Sequence, residues 1–282
     1  MIPIDKVKEN ALDFTMTNPP FYKSEDEMKQ SLSGKAQPPP TACTGAEVEM
    51  VTEGGEVGFV ERIMNESLVL REQVQWYTTM FGYMSSVTAV VDKLRRHGIE
   101  NYAVKAFIQG EKTRRWAVGW SFRAMRPSLG AARGISGSLA KSLLPAVTEA
   151  TVIHFKSFPR GDEVALRFIE SVGSLQWISW SWDEEKLQGI GKAGDRIWSR
   201  VWRRRGSSRK KRKHGGESAA TEEAEMNLEV RHAFGIYVSI KDDELAVRCR
   251  WLEGWDSVAF ESFTGYLKST AERIDSEFES KP

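Results

Sequence analysis

Residues 12–22 read LDFTMTNPPFY, and what they form decides the fold. The first half, with Ala11, reads as a short buried strand over residues 11–17, rich in apolar and β-favouring side chains. Two prolines then stop it. Pro19 and Pro20 fix φ, lack N–H groups and bias the residues before them away from helix. Asn18 to Tyr22 is therefore expected to be a rigid loop at a strand end, with an amide side chain before the prolines and two aromatics after them.

The downstream pattern says what kind of sheet this strand belongs to. Residues 23–55, with Pro38-Pro39-Pro40 and Gly54-Gly55, read as a long mobile loop. Phe59, Val60, Ile63, Met64 and Leu68 recur at helical spacing and predict a helix over 56–71. Residues 75–81 predict a strand. Val87, Val90, Val91 and Leu94 predict a helix over 86–97, capped by a serine and ended by Gly98. Residues 102–108 and 115–122 predict two strands joined as a hairpin. Strand, loop, helix, strand, helix, strand, strand is the order of the second half of a parallel α/β sheet that closes in an antiparallel pair.

Residues 123–149, rich in Gly, Ser, Ala and Arg, read as a linker between domain 1–122 and domain 150–282. The second domain is expected to be α+β. Strands are predicted at 150–158, 175–182, 234–240 and 247–251, with helices at 162–172 and about 255–274. Between Arg203 and Lys213, eight of eleven residues are Lys or Arg: Arg203, Arg204, Arg205, Arg209, Lys210, Lys211, Arg212 and Lys213. They open a segment, 203–226, read as a disordered insertion. The run has two functional readings, a nuclear address and an RNA-binding arm, and both can hold. Nuclear localisation is the expectation, with the cytoplasm as a second site. The sequence GIGKAG at 189–194 imitates a nucleotide-binding loop. Six residues separate it from the end of the preceding strand, so a bend is expected there instead.

Composition narrows the classes. Forty per cent of the 282 residues are apolar and 28% are charged, an ordinary globular mixture with net charge +1. No apolar run is long enough to span a bilayer, so no membrane role is expected. Cys43 and Cys249 are distant in sequence and four histidines are scattered. These predict neither a disulfide nor a metal site, and they point to a reducing compartment.

The Asn-Pro-Pro-Phe loop suits one chemistry well. An exocyclic amine of adenine is a poor nucleophile, because its lone pair is delocalised into the ring. When it attacks a methyl sulfonium, positive charge grows on the nitrogen. Acceptors aimed at its two N–H groups stabilise that charge, and a flat surface holds the base. The Asn18 side-chain oxygen and the Pro19 carbonyl can accept, and Phe21 can stack on a base that has left its helix. The plain alternative is a turn after a strand.

At this point four segments form a resemblance. DFTMTNPPFY, EVEMVTEGGEVGFVERIMNESL, QWYTTMFG and TRRWAVGWSF together resemble the adenine-N6 RNA methyltransferases related to the methylase of U6 small nuclear RNA and to a bacterial 23S ribosomal RNA enzyme. The resemblance covers about residues 11–122. It implies the C-terminal half of a class I, Rossmann-like methyltransferase sheet followed by a smaller α+β RNA-binding module. It implies S-adenosyl-L-methionine as methyl donor and adenine N6 in structured RNA as acceptor. Asn18, Pro19, Pro20 and Phe21 carry over as the catalytic loop, with Asn18 also facing the donor. Gly54, Gly55 and Glu56 carry over as a segment near the substrate. Arg115 and Trp116 match an Arg-Trp pair, with Arg114 and Arg115 as candidates for phosphate contact, whereas core packing is preferred for Trp116 and Trp120.

Two departures stand out. Tyr83 and Met84 occupy positions where the family usually has lysine. No glycine-rich turn precedes Asn18 to hold the donor, so the chain looks truncated at its N-terminus. The competing expectation is accordingly an RNA-binding protein without catalysis. A methyltransferase acting on DNA or on a protein glutamine is disfavoured by the Gly-Gly-Glu and Arg-Trp segments.

Overall fold

The computed structural model describes residues 1–6, 11–33, 50–109, 113–134, 139–155, 161–202, 204, 229–241 and 244–279. It divides into two compact units, Met1–Arg123 with Leu129–Ala146, and Ala124–Ser128 with Val147–Pro282.

The first unit is a four-stranded sheet in the order β1-β2-β4-β3. Strand β1 (Leu12–Thr17) runs parallel to β2 (Val74–Phe81), pairing Phe14 with Trp76 and Thr17 with Thr79. Strand β4 (Thr113–Trp120) lies antiparallel between β2 and β3 (Tyr102–Gln109). A parallel step followed by an antiparallel end is the expected half-sheet. One expectation fails: β1 is not buried. Phe14 is 63% and Met16 84% exposed, because β2 is the only strand beside β1 among the described residues.

Helix α1 (Glu25–Ser33) stands where a loop was expected. Its start carries a local cap, since Ser24 Oγ accepts from Glu27 N at 3.2 Å and the Glu27 carboxyl accepts from Lys23 N at 2.7 Å. The rest of the expected loop up to residue 49, including the three prolines and Cys43, lies outside the described residues.

Helix α2 (Gly55–Leu70) turns Val60, Ile63 and Met64 into the core, as its periodicity predicts. Helix α3 (Met84–Arg96) does the same with Val87, Val90, Val91 and Leu94, and Gly98 closes it at φ 69°. The serine cap expected for α3 is absent. The helix begins two residues earlier than expected, so Ser85 and Ser86 fall inside its first turn. Between helices and sheet, Tyr77 stacks on Trp120 at 5.6 Å, and Trp120 Nε1 donates to the buried Ser67 hydroxyl at 3.0 Å. Trp120 is thus a core residue, and Trp116 packs against the same cluster.

The stretch 123–149 is not a single linker. Helix α4 (Leu129–Arg133) packs on β3, and Leu143 is buried in the core of the first unit. Residues 124–128 group with the second unit, where Arg126 N donates to Leu252 O at 2.8 Å. Ala132 and Leu143 are apolar anchors that give the stretch something to bury.

The second unit is a five-stranded antiparallel sheet in the order β5-β9-β8-β7-β6. Its strands are β5 (Glu149–Phe155), β6 (Ser179–Asp183), β7 (Gln188–Ala193), β8 (His232–Lys241) and β9 (Glu244–Glu253). Helices α5 (Gly161–Gly173) and α6 (Ser257–Glu279) pack together on the sheet. Phe263 of α6 stacks on Phe234 of β8 at 4.4 Å and Phe260 on Trp251 of β9 at 6.0 Å. The buried Cys249 thiol lies in this core, and burial pushes its pKa up.

GIGKAG is not a bend. Its residues 189–193 are part of strand β7. The glycines there are required by packing. A Cβ on Gly191 would come 2.6 Å from the Trp177 ring, and one on Gly189 would come 2.8 Å from Trp180 and Trp182.

Candidate active site

The register of the first sheet gathers the candidate residues at one corner. Thr17 pairs with Thr79, so Asn18 leaves β1 beside the C-terminal end of β2. Phe81 pairs with Trp116, so Arg115 is brought level with Gly82. Ligand sites of open α/β sheets lie at these carboxyl ends of parallel strands.

Pro19 and Pro20 are buried, while Asn18 is exposed. The prolines therefore anchor the loop and leave the amide free. No side-chain hydrogen bond of Asn18 is made among the described residues. Phe21 is half-buried. Its ring rests against Gly82, where a Cβ would come 3.0 Å from Cδ1, and the Arg115 guanidinium lies 5.5 Å from its centre. Gly82 is the one residue after β2 small enough to seat that ring.

A second contact ties the loop to the Gly-Gly-Glu segment. Tyr22 and Val51 form a parallel bridge, with Tyr22 N donating to Met50 O at 3.1 Å and Thr52 N to Tyr22 O at 3.0 Å. The chain then turns into α2 through Gly54 (φ 75°) and Gly55 (φ 61°), backbone that side chains disfavour. Arg62 braces the turn by donating to Thr52 Oγ1 at 2.7 Å and to Glu53 O at 3.3 Å.

Glu56 is 3% exposed. One of its carboxyl oxygens accepts from Gly82 N at 2.8 Å and the other from Tyr83 N at 3.1 Å. It thereby caps the start of α3 and fixes the residue on which Phe21 sits. Each carboxyl oxygen accepts one backbone N–H and keeps a second lone pair, so positioning Gly82 and Tyr83 leaves room for a further donor. The Tyr83 phenol feels the charge of this carboxyl group. Burial raises its phenol pKa, with Tyr22, Glu27 and Glu56 adding to the rise and Arg115 opposing it.

The two arginines of the hairpin separate, as neighbours on a strand must. Arg115 joins Phe21. Arg114 is exposed and pairs across the strand with Ile108, away from the corner. Of the basic run, Arg203, Arg205, Arg209, Lys210, Lys211, Arg212 and Lys213 lie outside the described residues, as does the expected insertion apart from Arg204. Sequence reasoning overlooked Gly82, whose place directly after a predicted strand was the available signal. It also overlooked the bridge between Tyr22 and Val51, for which no local signal exists.

No group of three or more His, Cys, Asp or Glu side chains that could hold a metal occurs among the described residues. Among them, no helix is long and apolar enough to cross a membrane.

Residues 2–124 match a protein family described as RNA methyltransferase. The chain is 37% identical over 254 residues to a U6 small nuclear RNA (adenine-(43)-N(6))-methyltransferase of Schizosaccharomyces pombe, a match covering 90% of this chain and 59% of that protein. It is 38% identical over 124 residues to the human RNA N(6)-adenosine-methyltransferase METTL16, covering 42% of this chain and 22% of that protein. Among solved structures, the hMettl16 catalytic domain in complex with MAT2A 3′UTR hairpin 1 shares 38% identity over 43% of this chain and 42% of that chain, with a TM-score of 0.39. The chain thus spans about three-fifths of the fission-yeast relative, at 59%, and under a quarter of the human one, at 22%.

Proposed function

From the match of residues 2–124 to a family described as RNA methyltransferase, we propose that this chain carries the acceptor site of an S-adenosyl-L-methionine-dependent methyltransferase acting on adenine N6 in structured RNA. U6 small nuclear RNA, named for the relative that spans 90% of the chain, is the first RNA to try. The observation that supports this most is the free Asn18 amide on an anchored loop, beside an aromatic ring held by Gly82 and Arg115.

The donor supplies an electrophilic methyl group on sulfonium sulfur. The protein holds the nucleophile. The Asn18 oxygen and the Pro19 carbonyl accept from the two N–H groups of the adenine amine, and they gain strength as that nitrogen becomes positive. Phe21 lies against the base and keeps the amine in line, which removes orientational entropy from the step. The nitrogen bonds to the methyl carbon, the sulfur keeps the electron pair of the broken bond, and the amine gives one proton to water. Arg115 steadies Phe21. Arg114, on the outer face, meets RNA phosphate. Asn18 also fits the donor side, since an unpartnered amide at the carboxyl end of a parallel strand can face both reactants.

The residues Arg203–Lys213 support a nuclear address by composition, which a fluorescent fusion lacking them would test. The second reading, an RNA-binding protein without catalysis, is favoured by the eight Lys and Arg between Arg203 and Lys213, which can neutralise phosphate without any chemistry. The experiment is Asn18→Ala, measured for methyl transfer to a U6-derived hairpin and for affinity to the same hairpin. Turnover is expected to fall about 100-fold or more, with RNA affinity within about twofold. Unchanged turnover refutes the role of Asn18. Undetectable N6-methyladenosine with the unaltered protein and donor supports the second reading.

A further inference from the structure

The second unit carries an open aromatic platform that the reaction does not use. One face of its sheet bears Phe234, Ile236, Val247, Cys249 and Trp251, all buried beneath the helices. By the period of two, Gly235, Tyr237, Arg248 and Arg250 point to the other face.

On that face Tyr237 lies along its strand across Gly235. A Cβ at Gly235 would come 2.9 Å from the Tyr237 hydroxyl oxygen, 3.0 Å from Cε2 and 3.2 Å from Cζ, so its three nearest atoms all belong to Tyr237. Gly235 is buried under this ring, and Tyr237 stays half-exposed. The ring is thus pressed down on the sheet, with its far side turned outward. The cross-strand neighbours of Tyr237 are Arg248 and Gln188, and one neighbour of Gly235 is Ile190, which is 44% exposed.

The charges are distributed unevenly. Arg250 faces Glu149 at 3.7 Å and His154 faces Glu244 at 3.3 Å. Arg248 is exposed and has no partner among the described residues. A flat ring, an apolar shoulder and one uncompensated guanidinium beside them match the parts of a single nucleotide, namely a base face and a phosphate.

We propose that this open sheet face binds an unpaired RNA nucleotide, with its base stacked on Tyr237 and its phosphate met by Arg248. The proposal rests on the reading of the chain as an RNA enzyme, and it adds a second RNA contact remote in sequence from Asn18. Stacking on a ring tolerates any base, so the platform grips single strands without selecting sequence. The adenine corner supplies the selection.

The test uses the 282-residue chain and a labelled oligouridylate of about twelve nucleotides. Tyr237→Leu is expected to weaken binding about tenfold, and Tyr237→Phe to stay within twofold of the parent, because stacking needs the ring and not the hydroxyl. Arg248→Ala is expected to flatten the dependence of log affinity on log salt by about 0.7. Equal affinity of the Leu variant and the parent, or equal weakening by Leu and Phe, overturns the proposal. So does an unchanged salt slope in Arg248→Ala.

A photocrosslink with 5-iodouridine in the unaltered protein guards against misfolding of the Leu variant. Attachment to the peptide holding Tyr237 supports the platform, and attachment only elsewhere overturns it. Asn18→Ala distinguishes the two claims. If the platform fails while Asn18→Ala still abolishes turnover, the enzyme reading stands without it. If turnover ignores Asn18 while Tyr237→Leu still weakens binding, the platform stands alone.

Discussion

The loop Asn18–Phe21 and the strand segment Gly189–Ala193 are both short motifs that a sequence search would flag, and they do opposite things. In the loop, the rigid residues go inward and the polar one goes outward: Pro19 and Pro20 are buried and Asn18 is exposed. In the strand, the glycines are cavities filled by Trp177, Trp180 and Trp182. One motif spends its backbone rigidity on presenting a group to solvent, the other uses the absence of side chains to pack a core. What separates them is position. The first follows a parallel strand at its carboxyl end, and the second lies inside an antiparallel pair.

The largest test of this contrast concerns Glu56. Replacing it by alanine removes the acceptor of two part-buried N–H groups, Gly82 and Tyr83, and should cost about 3 kcal/mol. Urea unfolding of the first unit would measure it. A change below about 0.5 kcal/mol would mean that water replaces the carboxyl group and that the corner is not held from below.

Next comes Gly191→Ala. The new methyl meets the Trp177 ring, and overpacking should destabilise the second unit by about 1–3 kcal/mol while methyl transfer per folded molecule stays the same. Parent-like stability would show the indole stack to be slack. Lost turnover in the folded variant would show that GIGKAG is functional after all.

Gly82→Ala reverses that pattern. Its Cβ would press on Phe21 from 3.0 Å. Methyl transfer should drop about tenfold, equivalent to about 1.4 kcal/mol, with a smaller change in melting temperature. Equal losses in both would make Gly82 a packing residue like Gly191.

The smallest effect separates the two arginines. Arg115→Ala removes a cation near Phe21 worth about 0.5–1 kcal/mol and should lower kcat a few fold. Arg114→Ala should weaken RNA binding and leave kcat unchanged. Matching profiles for the two would dissolve the distinction between inner and outer face.

Much of this architecture was legible in the chain. Helices α2 and α3 bury a single apolar stripe each, and such stripes are read directly from Val60, Ile63 and Met64 or from Val87, Val90 and Leu94. Helix α1 was not legible that way, because Met28 and Leu32 are its only apolar residues. Its signal was the Ser24-x-x-Glu27 cap, a local polar pattern. The exposure of β1 was hidden too, since Phe14 and Met16 look alike whether or not a neighbour covers them. At the site, Asn18 and its prolines announced themselves by type. Glu56 and Gly82 did not, for their roles arise from pairing distances that join residues 26 apart.

A structure of the protein with an adenine-containing U6-derived hairpin and S-adenosylhomocysteine tests the centre of the account most directly. The target adenine is expected out of its stack, with N6 within hydrogen-bonding distance of the Asn18 side-chain oxygen and the Pro19 carbonyl, and its ring against Phe21. An adenine bound away from these three residues would contradict it.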